Sequence, residues 1–131
     1  MRVSIPSLPI YSPIWHEGKL THGVLMFPFV FWVDGKRYEI PAGFIWDGNS
    51  IPRICWSFTG TPWQMELLIA GLVHDFCYRF AIFIRKICDE LHNLCAKKYG
   101  TSNYNAGKMY YALRAAGWKA WNKHRKRESQ G

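Results

Sequence analysis

Val73-His74-Asp75-Phe76-Cys77-Tyr78-Arg79, with Arg85-Lys86-Ile87-Cys88-Asp89 close behind it, is the stretch on which the fold turns. The first segment lies in an apolar run. Leu67, Leu68, Gly71, Leu72 and Cys77 recur there at helical spacing and predict a helix from about Trp63 to Phe80. Ile84, Ile87, Leu91, Leu94 and Cys95 line one face of a second helix, from about Phe83 to Tyr99, with Gly100 as its stop. The short link makes the two helices antiparallel neighbours. His74 and Tyr78, at i and i+4, share a face. A histidine inside an apolar stretch needs a partner, because an unpaired buried polar group costs roughly 1–3 kcal/mol. Asp89 on the neighbouring helix is the natural one. A carboxylate on one ring nitrogen orients the imidazole and leaves the other nitrogen as a base. Asp75 points about 100° around the helix from His74, available to bind a cation or cap the preceding loop. The competing reading is a structural network, in which a His–Asp pair with Arg85 or Arg53 nearby only fixes helix packing.

Upstream, the chain is β-rich. Val24 to Val33 is dense in Phe, Val and Trp, Asp34-Gly35 follows, and Lys36 to Ile40 alternates polar with apolar. Asp-Gly between two such runs is a strong hairpin signal. Pro28 demotes part of the first run to an edge or a bulge, and Gly43 to Trp46 can add a short third strand. Asp47-Gly48-Asn49-Ser50-Ile51-Pro52-Arg53 then reads as a sharp loop. Asn49 or Ser50 can cap a short helix over Pro52 to Phe58. Downstream, a third helix is expected from about Tyr104 to Trp121, fading into a basic tail. The fold class expected is therefore α+β: a small antiparallel β unit packed on a bundle of three main helices. One domain is expected, with residues 1–46 β-rich, 47–122 the loop and helical core, and 123–131 the tail.

The chain has 131 residues, enough for a hydrophobic core without staples. Its net charge of +8 favours anionic partners. Aromatics make up 17% of residues, with seven tryptophans, which suits either an aromatic core or a membrane interface. Trp118 and Trp121, followed by Lys123, Arg125, Lys126 and Arg127, can anchor at anionic lipid or solubilise a tail. No recognised nucleic-acid module accompanies them, so sequence-specific binding to nucleic acid is not expected. The four cysteines, at 55, 77, 88 and 95, form no C-x-x-C pair and read as reduced, mostly buried thiols. His16, His22, His92 and His124 show no metal spacing and read as surface or loop residues. The N-terminus lacks an export signal, and the longest apolar run is far short of the roughly 20 residues a membrane span needs. The protein is expected to be made in a host cytoplasm and to reach a membrane or a virion peripherally.

The Asp47-Gly48-Asn49-Ser50 loop, the His74-Asp75-Phe76-Cys77-Tyr78-Arg79 segment and the later Asp89 resemble the core of bacterial secreted phospholipase A2. That family carries a D-G-C-S/T loop, an H-D-x-x-Y-R helix and an aspartate on the next helix. From Pro41 to Trp121 the chain is also similar to a phage-encoded family of unknown function. Its members share a P-A-G-F…D-G-x-S-I-P-R loop, an H-D-x-x-Y helix, an R-x-x-x-D helix and a C-terminal aromatic helix. The phospholipase resemblance implies a water-activating base at His74, an orienting Asp89, and a Tyr78 that helps position Asp89. It implies Ca²⁺ held by Asp75 and backbone carbonyls around Asp47, Gly48 and Asn49. Ser50, Arg53 and Arg85 are then structural. The departures are that Asn49 replaces the loop cysteine, and that Gly71, Leu72 and Val73 replace the cysteine before the His-Asp motif. The function expected is lipid-ester hydrolysis at a membrane by a phage protein, during lysis or delivery of its genome. The alternative is a non-enzymatic tail or host-interaction protein, bound to phage structural proteins, that keeps the His–Asp network for stability.

Overall fold

The computed structural model describes residues 1–47, 63 and 65–130. The chain divides into two compact units, Met1–Asp47 and Gly48–Gly131.

The first unit holds β1 (Val3–Ser4), β2 (Tyr11–His16), β3 (Lys19–Leu25), β4 (Phe29–Val33), β5 (Lys36–Ile40) and β6 (Ile45–Trp46). They form two antiparallel sheets, ordered β1-β4-β5 and β2-β3-β6. Asp34 and Gly35 both take positive φ, 49° and 82°, the conformation that matches the strand twist in a two-residue hairpin. Val33 then pairs Lys36, and Phe29 pairs Ile40. Glu17 and Gly18 repeat the device between β2 and β3, at φ 52° and 76°. The run from Val24 to Val33, in which Pro28 was expected to mark an edge or a bulge, is divided between two strands. β3 ends at Leu25 and β4 begins at Phe29, because Pro28 has no N–H to give a ladder. β1 and β2 were not legible in advance. β2 contains Pro13 and survives as an edge strand, where a missing donor is tolerated. Phe29, Phe31, Val33 and Ile40 are buried and the intervening Trp32 is exposed, the period-2 pattern of a one-sided sheet. Gly23 lies under the Trp46 indole, where a Cβ would stand 2.9 Å from the ring.

The second unit holds α1 (Met65–Phe80), α2 (Arg85–Lys98), α3 (Asn103–Ala116) and α4 (Trp118–Gln130). α1 packs on α2 and α4, and α3 packs on α2 and α4. Leu67, Leu72, Val73, Leu91, Met109 and Leu113 fill the space between them. Gly100, at φ 110°, terminates α2, and its N–H donates to the Lys97 carbonyl at 3.3 Å. The Ser102 hydroxyl caps α3 by accepting from the Asn105 N–H at 3.1 Å. Among the described residues four helices stand where three main ones were expected. The predicted third helix divides at Gly117, and α4 carries the basic segment to Gln130 as helix rather than tail. The short helix expected over Pro52 to Phe58 lies outside the described residues. The architecture is α+β, an antiparallel β region followed by helices. Among the described residues no helix is long and apolar enough to cross a membrane.

Candidate active site

His74 and Tyr78 project from one face of α1 because their spacing is close to one helical turn. Asp89 projects from α2, which runs back against α1 after a four-residue link. All three are buried, His74 and Asp89 with no exposed surface. His74 Nε2 lies 2.8 Å from Asp89 Oδ1, and the Tyr78 hydroxyl donates to the same oxygen at 2.6 Å. An ionised carboxylate only accepts, so Nε2 carries the hydrogen and Nδ1 of the neutral ring keeps its lone pair. Nδ1 is buried and, among the described residues, has no hydrogen-bond partner. The His74 and Tyr78 rings are 4.1 Å apart between centroids, so the imidazole is held on one side by an aromatic face.

Asp89 Oδ2 accepts from Arg114 Nη1 at 2.8 Å, and Arg85 Nη1 is 3.6 Å away. Burial by itself raises the Asp89 pKa. The hydrogen bonds from His74, Tyr78 and Arg114 outweigh it, and the net shift is downward. Tyr78 is driven the other way, first by burial and then by the Asp89 charge it donates to, so it stays a neutral donor. Arg85 also donates to the carbonyls of Leu113, at 2.9 Å, and Arg114, at 3.1 Å. It thus ties the start of α2 to the end of α3, where unsatisfied carbonyls favour a cation.

His92 is one turn beyond Asp89 on α2. Expected at the surface, it is fully buried, and its ring meets His74 edge-on at 5.4 Å. Among the described residues neither of its ring nitrogens has a hydrogen-bond partner. Burial, and then the neighbouring His74, pushes its pKa down to about 3. The i, i+3 spacing from Asp89 and the run of buried Cys88, Leu91, Cys95 and Ala96 on the same face carried that signal. Arg114 was missed for a different reason. It sits on α3, 25 residues from Asp89, and no local pattern marks it.

Asp75 is half-buried on α1, and Asp47 ends the β unit. Gly48, Asn49, Ser50 and Arg53 lie outside the described residues. Among the described residues no group of three His, Cys, Asp or Glu side chains is placed to hold a metal ion. Of the donor set expected for Ca²⁺, the described part of the helical unit supplies the Asp75 carboxylate, too little to define the ion's site. On α4, Trp121 meets Tyr78 edge-on at 5.3 Å, and Arg125 lies over the Trp121 ring at 4.5 Å. Arg125 Nη2 donates to the carbonyls of Tyr78, at 2.8 Å, and Arg79, at 2.7 Å, at the end of α1. Trp118, Lys123, Lys126 and Arg127 are exposed on the same helix. Cys77, Cys88 and Cys95 are free and buried, and Cys55 lies outside the described residues.

An 88-residue stretch of the chain is 28% identical to "Uncharacterized protein y4jT" of Sinorhizobium fredii (strain NBRC 101917 / NGR234). The stretch is 67% of this chain but spans only 21% of that relative. No solved structure matches the chain. Residues 24–113 match the family described as "Protein of unknown function (DUF1353)". That span runs from β3 to the last turn of α3, encloses His74, Tyr78, Arg85 and Asp89, and makes up most of the chain, which therefore belongs to this family.

Proposed function

We propose that the protein is a phage-encoded hydrolase of lipid esters, with His74 as the base, acting at a membrane during lysis or delivery of the phage genome. One observation carries this reading. The imidazole is clamped through Nε2 by a buried carboxylate, while Nδ1 meets no hydrogen-bond partner among the described residues. A water held at Nδ1 would give its proton to the ring as its oxygen attacks an ester carbonyl. Asp89 would stabilise the imidazolium and keep the tautomer, and Tyr78 would keep Asp89 in place. The ring would return the proton to the departing alkoxide, so that ester and water become acid and alcohol. The phage origin and the lipid substrate rest on the resemblances in sequence. Ca²⁺, were it bound as the resemblance implies, would polarise the ester carbonyl, with the Asp75 carboxylate among its ligands.

A specific observation favours a second reading, a non-enzymatic virion or host-interaction protein. Both Asp89 oxygens are occupied and two guanidinium groups share its charge, so the carboxylate is satisfied without a substrate. The two readings separate on phospholipid vesicles, assayed for fatty-acid release with Ca²⁺ or with chelator. His74→Gln keeps an N–H for Asp89 but removes the base. If that variant folds and abolishes release by the wild type, the hydrolase stands. Absence of release by the wild type under both conditions sinks it.

A further inference from the structure

The turn between α1 and α2 is unusual in what it leaves in water. Residues 79–86 read Arg-Phe-Ala-Ile-Phe-Ile-Arg-Lys, five apolar side chains bracketed by three cations with no acid among them. Phe80 is 52% exposed and Ile84 69%, the latter among the most exposed large apolar residues of the chain. Ala81 holds the turn open with φ 49°, a left-handed conformation that an L residue with a Cβ rarely adopts. Arg85 is turned inward onto α3, but Arg79 and Lys86 are exposed. α4 adds to the same corner. Arg125 is bonded to the Arg79 carbonyl at 2.7 Å, which ties α4 to the end of α1. The crowding of cations is visible at His124. Burial, and then Arg127, Arg125, Arg79 and Lys123, lower its pKa.

We propose that this corner, with Phe80 and Ile84 at its tip and Arg79, Lys86 and Lys123 around them, docks the protein on an anionic lipid surface. Exposed apolar side chains ringed by cations suit a bilayer interface. The rings and aliphatic chains enter the headgroup–acyl boundary while the cations meet lipid phosphates. A duplex nucleic acid would engage the cations but leave Phe80 and Ile84 in water. A protein core would bury the apolar tip but strand its charges. The inference deepens the lipid-ester reading by naming the surface that meets substrate. His74 lies six residues before Phe80, about 9 Å along α1, so docking here would hold the buried network close to the bilayer.

The test is co-sedimentation of the full chain with phosphatidylcholine vesicles and with phosphatidylcholine/phosphatidylglycerol vesicles. The expected result is binding to the anionic vesicles that weakens as salt rises. Phe80→Ser with Ile84→Ser should weaken it roughly tenfold, and Lys86→Glu with Lys123→Glu should weaken it comparably. The altered side chains are exposed, and circular dichroism should match the wild type. As a second measurement, a nitrobenzoxadiazole dye on Ile84→Cys should shift to the blue with anionic vesicles. Wild-type binding that ignores the Phe80/Ile84 change, a dye that does not shift, or no vesicle binding overturns the proposal. So does binding to duplex DNA that is lost with the charge reversals while vesicle binding is unaffected. His74→Gln should bind vesicles like the wild type. Binding without fatty-acid release therefore removes the hydrolase reading and leaves the docking surface standing.

Discussion

Asp89 is the residue on which the site depends. It is buried, carries a charge, and gathers His74, Tyr78 and Arg114 by hydrogen bonds. Removing one member of a buried ion pair strands the other, at a cost of about 3–5 kcal/mol. Asp89→Asn should therefore lose several kcal/mol of stability, read as a lower urea midpoint with an unchanged m-value. His92 governs a different pH range. Unfolded, it takes a proton below its ordinary 6.5, whereas folded it remains neutral to about 3. Its contribution to stability is complete above pH 6.5 and is lost progressively as pH falls toward 3. Asp89, whose pKa is held below its ordinary 3.8, adds its own loss as pH falls below about that value. Between pH 6 and pH 4, about the window where His92 acts alone of the two, the melting temperature of the wild type should fall more steeply than that of His92→Phe. Equal slopes would show that the ring protonates without penalty.

At the level of elements, the junction between α3 and α4 decides how the network closes. Gly117 is buried there, and a Cβ at this position would collide with the Tyr78 hydroxyl and the Leu113 carbonyl and stand 3.1 Å from Arg85 Nη1. A methyl group would normally favour helix by about 1 kcal/mol over glycine. Here the overlap should outweigh it, since overpacking costs about 1–3 kcal/mol. Gly117→Ala should lower the melting temperature. It should also move the Tyr78 ring, seen as a changed near-ultraviolet signal from Tyr78 and the adjoining Trp121. An unchanged midpoint would mean that the junction can relax. The expected third helix divides at this junction, where Gly117 keeps helical dihedrals (φ −65°, ψ −18°) and its missing Cβ leaves room for Tyr78 and Arg85.

At the scale of the whole molecule, the cysteines among the described residues report on packing. Cys77, Cys88 and Cys95 are free and buried between α1 and α2. Burial pushes the Cys95 thiol up to about 12 and raises Cys77 well above its usual range, with Cys88 adding to the latter. Thiolate, the reactive form, is therefore scarce in the folded helical unit. A thiol reagent should find these three cysteines slow in buffer and rapid in urea, with a rate that follows the unfolding transition. Rapid reaction of any of them in buffer would mean that the helix pair opens locally.

Much of this was legible in residue spacing. The 3.6-residue period marks α1 and α2, Asp34-Gly35 marks the hairpin between β4 and β5, and an i, i+4 pair sets Tyr78 beside His74. These features depend on neighbours in the chain, where backbone geometry alone fixes which side chains share a face. Tertiary packing decided the rest. It brought Arg114 to Asp89, sank His92 against His74, and drew Arg125 from an expected tail onto the end of α1. Those partners are separated by up to tens of residues along the chain, and their meeting is set by how whole helices pack to bury apolar faces. Local periodicity does not encode that.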